Sequence, residues 1–301
     1  MLDDPKGSTP AAETQRFIGT HDGHFHCDEV FACWMLKSLP EFAAHRILRT
    51  RKAEVLEKCE IVVDVGAKFD PRTKRFDHHQ KEFNETMRSL GGRQAGGFGD
   101  SLPFDTRLSS AGLVYAFYGK RVLQRVLKHE GQAAVSDETL ALYFERMYRC
   151  FVEVSPPFFS LIQPLVRAVD AVDNGIKQHE DEPKYVTPVS LQWLVKELNP
   201  AWNDEAKEPD VQFAKAMALV GGIFTRQLLR LHKSWTHASG RILLFERSCP
   251  WKQHFFGLER EKGIQNELIY AVYPSKDDWR VRAIPVAETF DFDNRCPFPA
   301  E

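Results

Sequence analysis

Two short stretches rich in histidine and aspartate constrain this chain more than any other feature. The first is His21-Asp22-Gly23-His24-Phe25-His26-Cys27-Asp28-Glu29, and the second is Asp77-His78-His79. A lone Asp64 stands between them in Val62-Val63-Asp64-Val65-Gly66. Imidazoles and carboxylates at this density repel one another or stay unsatisfied unless something cationic binds them. Oxygen donors mixed with imidazole suit Mn²⁺, Mg²⁺ or Zn²⁺.

The flanking residues place these stretches on a sheet. Phe17–Thr20, Ile47-Leu48 and Ile61–Val63 read as short strands. Residues 28–39 read as a nearly all-apolar helix with Asp28 near its start and Pro40 stopping it, and Lys52–Glu60 as a shorter helix. This alternation predicts an α/β chain with a doubly wound, mainly parallel sheet. In such sheets ligands bind at the carboxyl ends of strands, where His21 and Asp64 both sit. Lys68–Phe76 contains a turn, so Asp77-His78-His79 follows a short hairpin strand.

Further along, Gly91–Gly99 reads as a flexible loop, and Ser109 caps a helix running to about Lys128. A second helix follows Ser136 to about Glu153. Helical segments continue over Val189–Leu198 and Val211–His232. Ile242–Phe245, Glu267–Tyr273 and Trp279–Val286 then read as strands of a smaller α+β domain. The division expected is a disordered tail over 1–15, a metal-binding domain over 16–200, and a helical connector with a substrate-binding domain over 201–301. No internal repeat is present, and nothing in the chain specifies an oligomeric state.

Composition removes several function classes. No apolar run approaches the ~20 residues of a membrane helix. The net charge of −2 lacks the basicity of a non-specific nucleic-acid coat. Six cysteines without a CxxC pair argue against a zinc ribbon. Met1–Arg16 carries no apolar core and only Lys6 and Arg16 as basic residues, which argues against a signal or transit peptide.

The chemistry that fits is a two-metal phosphoesterase, in which cations ~3.5–4 Å apart clamp a phosphoryl group. Asp64, central and alone at a strand end, is the candidate bridge. His21, His26 and Asp28 supply the first loop's ligands, and His78 adds one for the second metal. Asp173 completes the set, with Asp170 one turn before it as the competing choice. His79 is left to face the phosphate, while Asp77 and Glu29 orient imidazoles. Ser109 and Ser110 open a helix whose N–H groups either hold a phosphate or are simply capped.

Several motifs, in order, resemble the melanocyte proliferating gene (MYG) exonuclease family, relatives of the DHH phosphoesterases. They are Gly19–Glu29, Ile61–Gly66, Arg75–Gln80, Leu108–Leu113, Val169–Ile176 and Cys249–Lys252. The resemblance implies a DHH-like fold and a 3′→5′ RNA exonuclease of nucleus and mitochondrion that releases nucleoside 5′-monophosphates. It also implies two divalent ions, Mn²⁺ first, on His21, His26, Asp28, Asp64, His78 and Asp173. Relative to that family, 155–167 reads as an insertion, and the stretch between Trp235 and Arg241 reads as shorter. The chain stops at Glu301, before a glycine-rich motif. Two other readings stay open, a small-molecule phosphoesterase or pyrophosphatase and a non-catalytic RNA-binding relative. Lys252 and His254, beside Trp251, Arg280 and Arg282, favour a polynucleotide if they line the cleft.

Overall fold

The computed structural model describes residues 15–90, 102, 104–148, 166–176, 190–204, 208–234, 241–245 and most of 251–297. The fold is mixed α/β around a mainly parallel sheet. Its strands are β1 (Phe17–Thr20), β2 (Arg46–Arg49), β3 (Ile61–Val63), β4 (Phe69–Asp70) and β5 (Arg75–Phe76), in the order β2-β1-β3-β5-β4. β1, β2, β3 and β5 run parallel, and only β4 is antiparallel, as the return arm of the hairpin that delivers β5.

The alternation of side chains along β3 shows how the two faces are covered. Ile61 and Val63 point into the main core, whereas Val62 joins Leu56, Cys59 and Val65 in a small cluster on the opposite face. Helix α1 (Cys27–Lys37) is apolar almost all round because it lies inside that main core, against α5 (Ser110–His129) and α9 (Pro209–Ser234). A Cβ on Gly221 of α9 would fall 1.9 Å from Trp34 Nε1 of α1, so only glycine permits this approach. α9 belongs to the same core through Phe213, Val220, Phe224 and Leu231, so a boundary at residue 200 would cut it from the packing that holds it.

Some local expectations need correction. α1 ends at Lys37, ahead of Pro40, which instead opens a separate one-turn helix α2 (Pro40–Ala43) at the position where its missing N–H costs nothing. The helix expected over Lys52–Glu60 is confined to α3 (Ala53–Leu56), since the chain must turn back at once to enter β3. Helices α6 (Asp137–Tyr148), α7 (Val166–Asp173) and α8 (Leu191–Lys196) follow α5, after the one-turn α4 (Met87–Leu90). The glycine-rich 91–99 and residues 155–165 lie outside the described residues.

The carboxyl-terminal strands form a second, smaller core. β6 (Ile242–Leu244), β7 (Tyr270–Ser275) and β8 (Asp278–Ala283) make one sheet, and β9 (Pro285–Ala287) pairs with β10 (Phe290–Asn294). Leu243, Trp251, Phe255, Ala271 and Ile284 pack among them. The single strand expected over Trp279–Val286 is broken at Ile284, whose N–H turns back to the carbonyl of Ile269. No described helix is long and apolar enough to cross a membrane.

The amino ends of the parallel strands are tied by one carboxylate. Glu60, just before β3, receives Arg16 Nη1 at 3.0 Å, Lys74 Nζ at 2.7 Å and His45 Nε2 at 2.8 Å, from the chain just before β1, β5 and β2. Lys74 first, then His45 and Arg16, hold its carboxyl down at about 2 against the opposing effect of burial. A depressed carboxyl contributes stability above its unfolded value near 4.5 and loses it as pH falls through about 2. Glu60→Gln is therefore expected to cost about 1 kcal/mol at pH 7, discounted because the group is partly exposed. The deficit should shrink steadily from pH 4.5 downward in denaturant titrations. A deficit independent of pH would show that packing, not charge, holds this edge.

Candidate metal centre

The strand order brings the separated motifs together. β1 and β3 are parallel neighbours, so His21 and Asp64, the residues that follow them, meet with His21 Nε2 3.4 Å from Asp64 Oδ2. β5 lies on the other side of β3, so Asp77-His78-His79 emerges beside Asp64 as well. His78 Nε2 is 3.3 Å and His79 Nδ1 3.6 Å from Asp64 Oδ1. Asp28, in the first turn of α1, and Asp173, the last residue of α7, close the ring. Their carboxylates lie 3.6 and 3.0 Å from His78 Nε2.

The backbone is shaped to present these groups. Asp64 takes the left-handed conformation, φ 58°, followed by Gly66 at 97° and Ala67 at 49°. For a residue with a side chain this region costs roughly 1–2 kcal/mol, least for Asp and Asn. Asp77 holds the turn in place. Its carboxylate accepts the N–H of Ala67 at 2.6 Å, those of His78 and His79 at 2.8 and 3.2 Å, and His79 Nδ1 at 2.7 Å. Asp77 is thus spent on orienting the loop and the His79 ring.

Three sets of donor atoms, each within 4.8 Å of one another, result: His21, His26, Glu29 and Asp64; Asp64, His78 and His79; and Asp28, His78 and Asp173. Asp64 is shared by the first two sets and His78 by the last two. The donors fit divalent cations on their own chemistry. Both ring nitrogens of His78, His21 Nδ1 and Glu29 Oε2 are buried without a directed hydrogen bond, although carboxylates surround them. Electrostatics point the same way. Burial lowers the His78 ring, yet Asp173 and Asp64 outweigh it and raise it to about 11. Burial likewise works against His21, which Asp64 and Glu29 bring to about 9. Burial, with Asp64 and Asp173 nearby, pushes the Asp28 carboxyl far up. So many carboxylates gathered here need positive charge, and among the described residues it comes from protonated histidines that a cation would relieve.

Asp28 is held by the start of α5. Ser109 Oγ donates to it at 2.7 Å, Ser110 N–H at 3.1 Å, and Ala111 N–H also points at it. Ser109 N–H donates in turn to Asp170 at 3.0 Å, Ser109 Oγ lies 2.8 Å from the same carboxylate oxygen, and Tyr148 Oη donates to its other oxygen at 2.9 Å. A Cβ on Gly112 would fall 2.2 Å from Asp170, so glycine is required where that carboxylate lies on the helix. Here the structure departs from one sequence reading. Ser109 and Ser110 are fully buried and their donors serve carboxylates, so this helix start is not open to a phosphate.

The remaining site residues divide clearly. His26, His79 and Asp173 are solvent-exposed at the rim, and His21, Asp28, Asp64, Asp77 and His78 lie beneath. Asp173 faces the other candidate donors, while Asp170 is turned away into the Ser109–Tyr148 contact. The unusual segment before α7 does not displace Asp173. Glu29, read as an orienting group, accepts the N–H of His26 at 2.9 Å and sits 2.9 Å from His21 Nε2, among the donors themselves. Trp251 is core in the carboxyl-terminal cluster, and Lys252 is beside it, outside the residues that line the cleft over the donors. His254 lies outside the described residues.

Sequence reading missed the residues that brace the histidine loop. Arg49, at the end of β2, donates to the carbonyls of His21 and Gly23 and stacks over Phe25 and Phe213, 5.5 and 5.1 Å from the ring centres. Asn199 brackets Phe25, donating to its carbonyl at 2.9 Å and accepting its N–H at 2.8 Å. Arg107 Nη2 donates to the His78 carbonyl at 2.7 Å. The one available signal was a charged residue, Arg49, at the carboxyl end of a strand next to β1.

Comparison with known proteins finds one family along nearly the whole chain. The model of the MYG1 exonuclease family, described as an uncharacterised protein family, matches residues 17–301. A MYG1 protein of Caenorhabditis elegans is 42% identical over 94% of this chain and 81% of its own length. The mouse protein named MYG1 exonuclease is 38% identical over 94% of this chain and 72% of its own. The human one is 36% identical over 98% and 76%. No solved structure matches the chain. On the length of the match and the identity of these relatives, the chain belongs to the MYG1 exonuclease family.

Proposed function

We propose that this protein is a metal-dependent 3′→5′ RNA exonuclease that hydrolyses phosphodiester bonds to nucleoside 5′-monophosphates. The observation that carries the reading is Asp64, common to two donor sets at the carboxyl ends of parallel strands. The name exonuclease on the mouse and human relatives supports nuclease chemistry. The sheet order and the Asp77-His78-His79 triplet support kinship with DHH phosphoesterases. The second, smaller core fits a separate substrate-binding unit.

In this reading His21, His26, Asp28, Asp64, His78 and Asp173 hold two divalent ions, with Mn²⁺ the first choice from the family resemblance and Mg²⁺ or Zn²⁺ compatible with the same donors. Such ions, when bound, activate water and neutralise the phosphoryl oxygens. The chain's own contribution is orientation and charge. Asp77 fixes the His79 ring, and its hydrogen bond to the ring is the main reason the His79 pKa is raised, which favours the protonated imidazole. Exposed at the cleft, His79 donates to a phosphoryl oxygen as negative charge builds there. Arg49 and Asn199 keep the histidine loop from shifting as a strand enters.

The test is a single-stranded RNA labelled at its 5′ end and incubated with the protein in Mn²⁺. A ladder shortening one nucleotide at a time from the 3′ end is expected. Immediate release of a labelled mononucleotide, or an intact strand beside hydrolysis of pyrophosphate or dinucleotides, would contradict it.

A further inference from the structure

The cleft over the donor sets has a second wall that the metal chemistry does not use. It encloses about 530 Å³ between His26, Asp28, Asp64 and His79 on one side and α7–α8 on the other. That volume is within the ~300–1,000 Å³ of pockets that take small organic ligands. Trp193 and Lys196, three residues apart and so on one face of α8, line this second wall with Gln192 and Val172.

Neither residue is accounted for by packing. Trp193 stays 40% exposed, while its neighbour Val195 is fully buried in the core. Among the described residues, no ring stacks on Trp193 and no carboxylate pairs with Lys196. The wall is nonetheless fixed. Asn199, just beyond α8, is tied at both its amide atoms to Phe25, one residue from His26. Gln192 reaches the Ala168 carbonyl at 3.4 Å, binding α8 to α7. From this anchored helix an exposed indole and an ammonium, neither with a partner among the described residues, face a centre otherwise rich in carboxylates. Cations go to the carboxylates, so the opposing Lys196 serves an anion, and the flat apolar ring beside it serves a flat apolar group.

We infer that Trp193 and Lys196 form the seat of the strand's terminal nucleotide, with the base stacked on the Trp193 indole and the backbone phosphate met by Lys196. This deepens, and rests on, the nuclease reading above. Every base has a face that stacks, so the seat grips any of the four bases.

The experiment compares the full chain in Mn²⁺ on two RNA strands, one intact and one with an abasic 3′-terminal residue. For the wild type, kcat/KM should fall about 5- to 150-fold on losing the base, the range for one stacked base. Trp193→Ala should lose as much on the intact strand, chiefly through KM, and nothing further on the abasic one. Trp193→Phe should keep most of the wild-type value, which separates lost stacking from lost folding. Lys196→Ala should raise KM and make the logarithmic salt dependence shallower by about 0.7, one phosphate contact on a single strand. Wild-type behaviour of Trp193→Ala on both strands, or losses from the two changes that simply multiply, would overturn the seat while leaving the nuclease intact. A wild type that degrades neither strand would instead overturn the nuclease reading and the seat with it.

Discussion

Asp64→Asn is expected to lower hydrolysis by roughly 10²- to 10³-fold, the scale seen when one preorganised stabilising group is removed from a reacting centre, with the fold retained. Asp64 lies within 3.3 to 3.6 Å of ring nitrogens from three histidines, so one substitution removes a negative ligand from both neighbouring donor sets. Asparagine keeps the shape and accepts the φ of 58° that most side chains resist. Two electrostatic consequences oppose each other in the metal-free protein. The variant loses the pairing with His21 and His78 that depresses the Asp64 carboxyl, but it also relieves the Asp64 repulsion that adds to burial in raising Asp28 and Glu29. Thermal melts in EDTA should therefore lie close together while the rates differ widely. Hydrolysis within tenfold of wild type would remove Asp64 from the centre of the account.

The second large effect is expected at a residue that touches no proposed ligand site. Asp170→Ala leaves Ser109 N–H and Tyr148 Oη without an acceptor in a fully buried place. We expect a loss of roughly 3 kcal/mol, since each such orphan costs ~1–3 kcal/mol and they do not add fully. Ser109 also holds Asp28, so Mn²⁺ affinity should fall about 10- to 100-fold, as when the groups orienting a ligand are lost. Asp170→Asn should be milder. Burial raises the Asp170 carboxyl from 3.8 to about 7, so the protonated acid, which asparagine imitates, is already favoured in the fold. A raised carboxyl contributes its stability at low pH and loses it as pH rises through about 7, so Asp170→Asn should gain on wild type between pH 4 and 7. Denaturant titrations of both variants across that window check this. An alanine variant as stable as wild type would contradict it.

How much of this was legible in the sequence depended on whether a feature was local. The β1 and β3 strands are short apolar runs ending in His21 and Asp64, so strand, strand end and site could be read together. α1 was visible because its unbroken apolar run has no other use than burial. The boundaries of α3 and α2 were not visible, because they are set by where the chain must turn back to reach β3. Asp170 and Asp173 are alike in sequence, and only the position of Tyr148 and the start of α5 shows which carboxylate faces the ligands. Ser109 and Ser110 read as an anion site because a helix start is generic, and what fills it comes from α1 and α7. Arg49 and Asn199 act through contacts far along the chain, and no window around them carries that information.

The most direct test of the central claim, that Asp64 joins two metal positions, is the Mn²⁺ stoichiometry of the purified chain and of Asp64→Asn. It can be measured by elemental analysis after equilibrium dialysis. Two ions per chain in the wild type and at most one, bound more weakly, in the variant is the predicted result. One ion or none in the wild type, or two in both proteins with equal affinity, would contradict it.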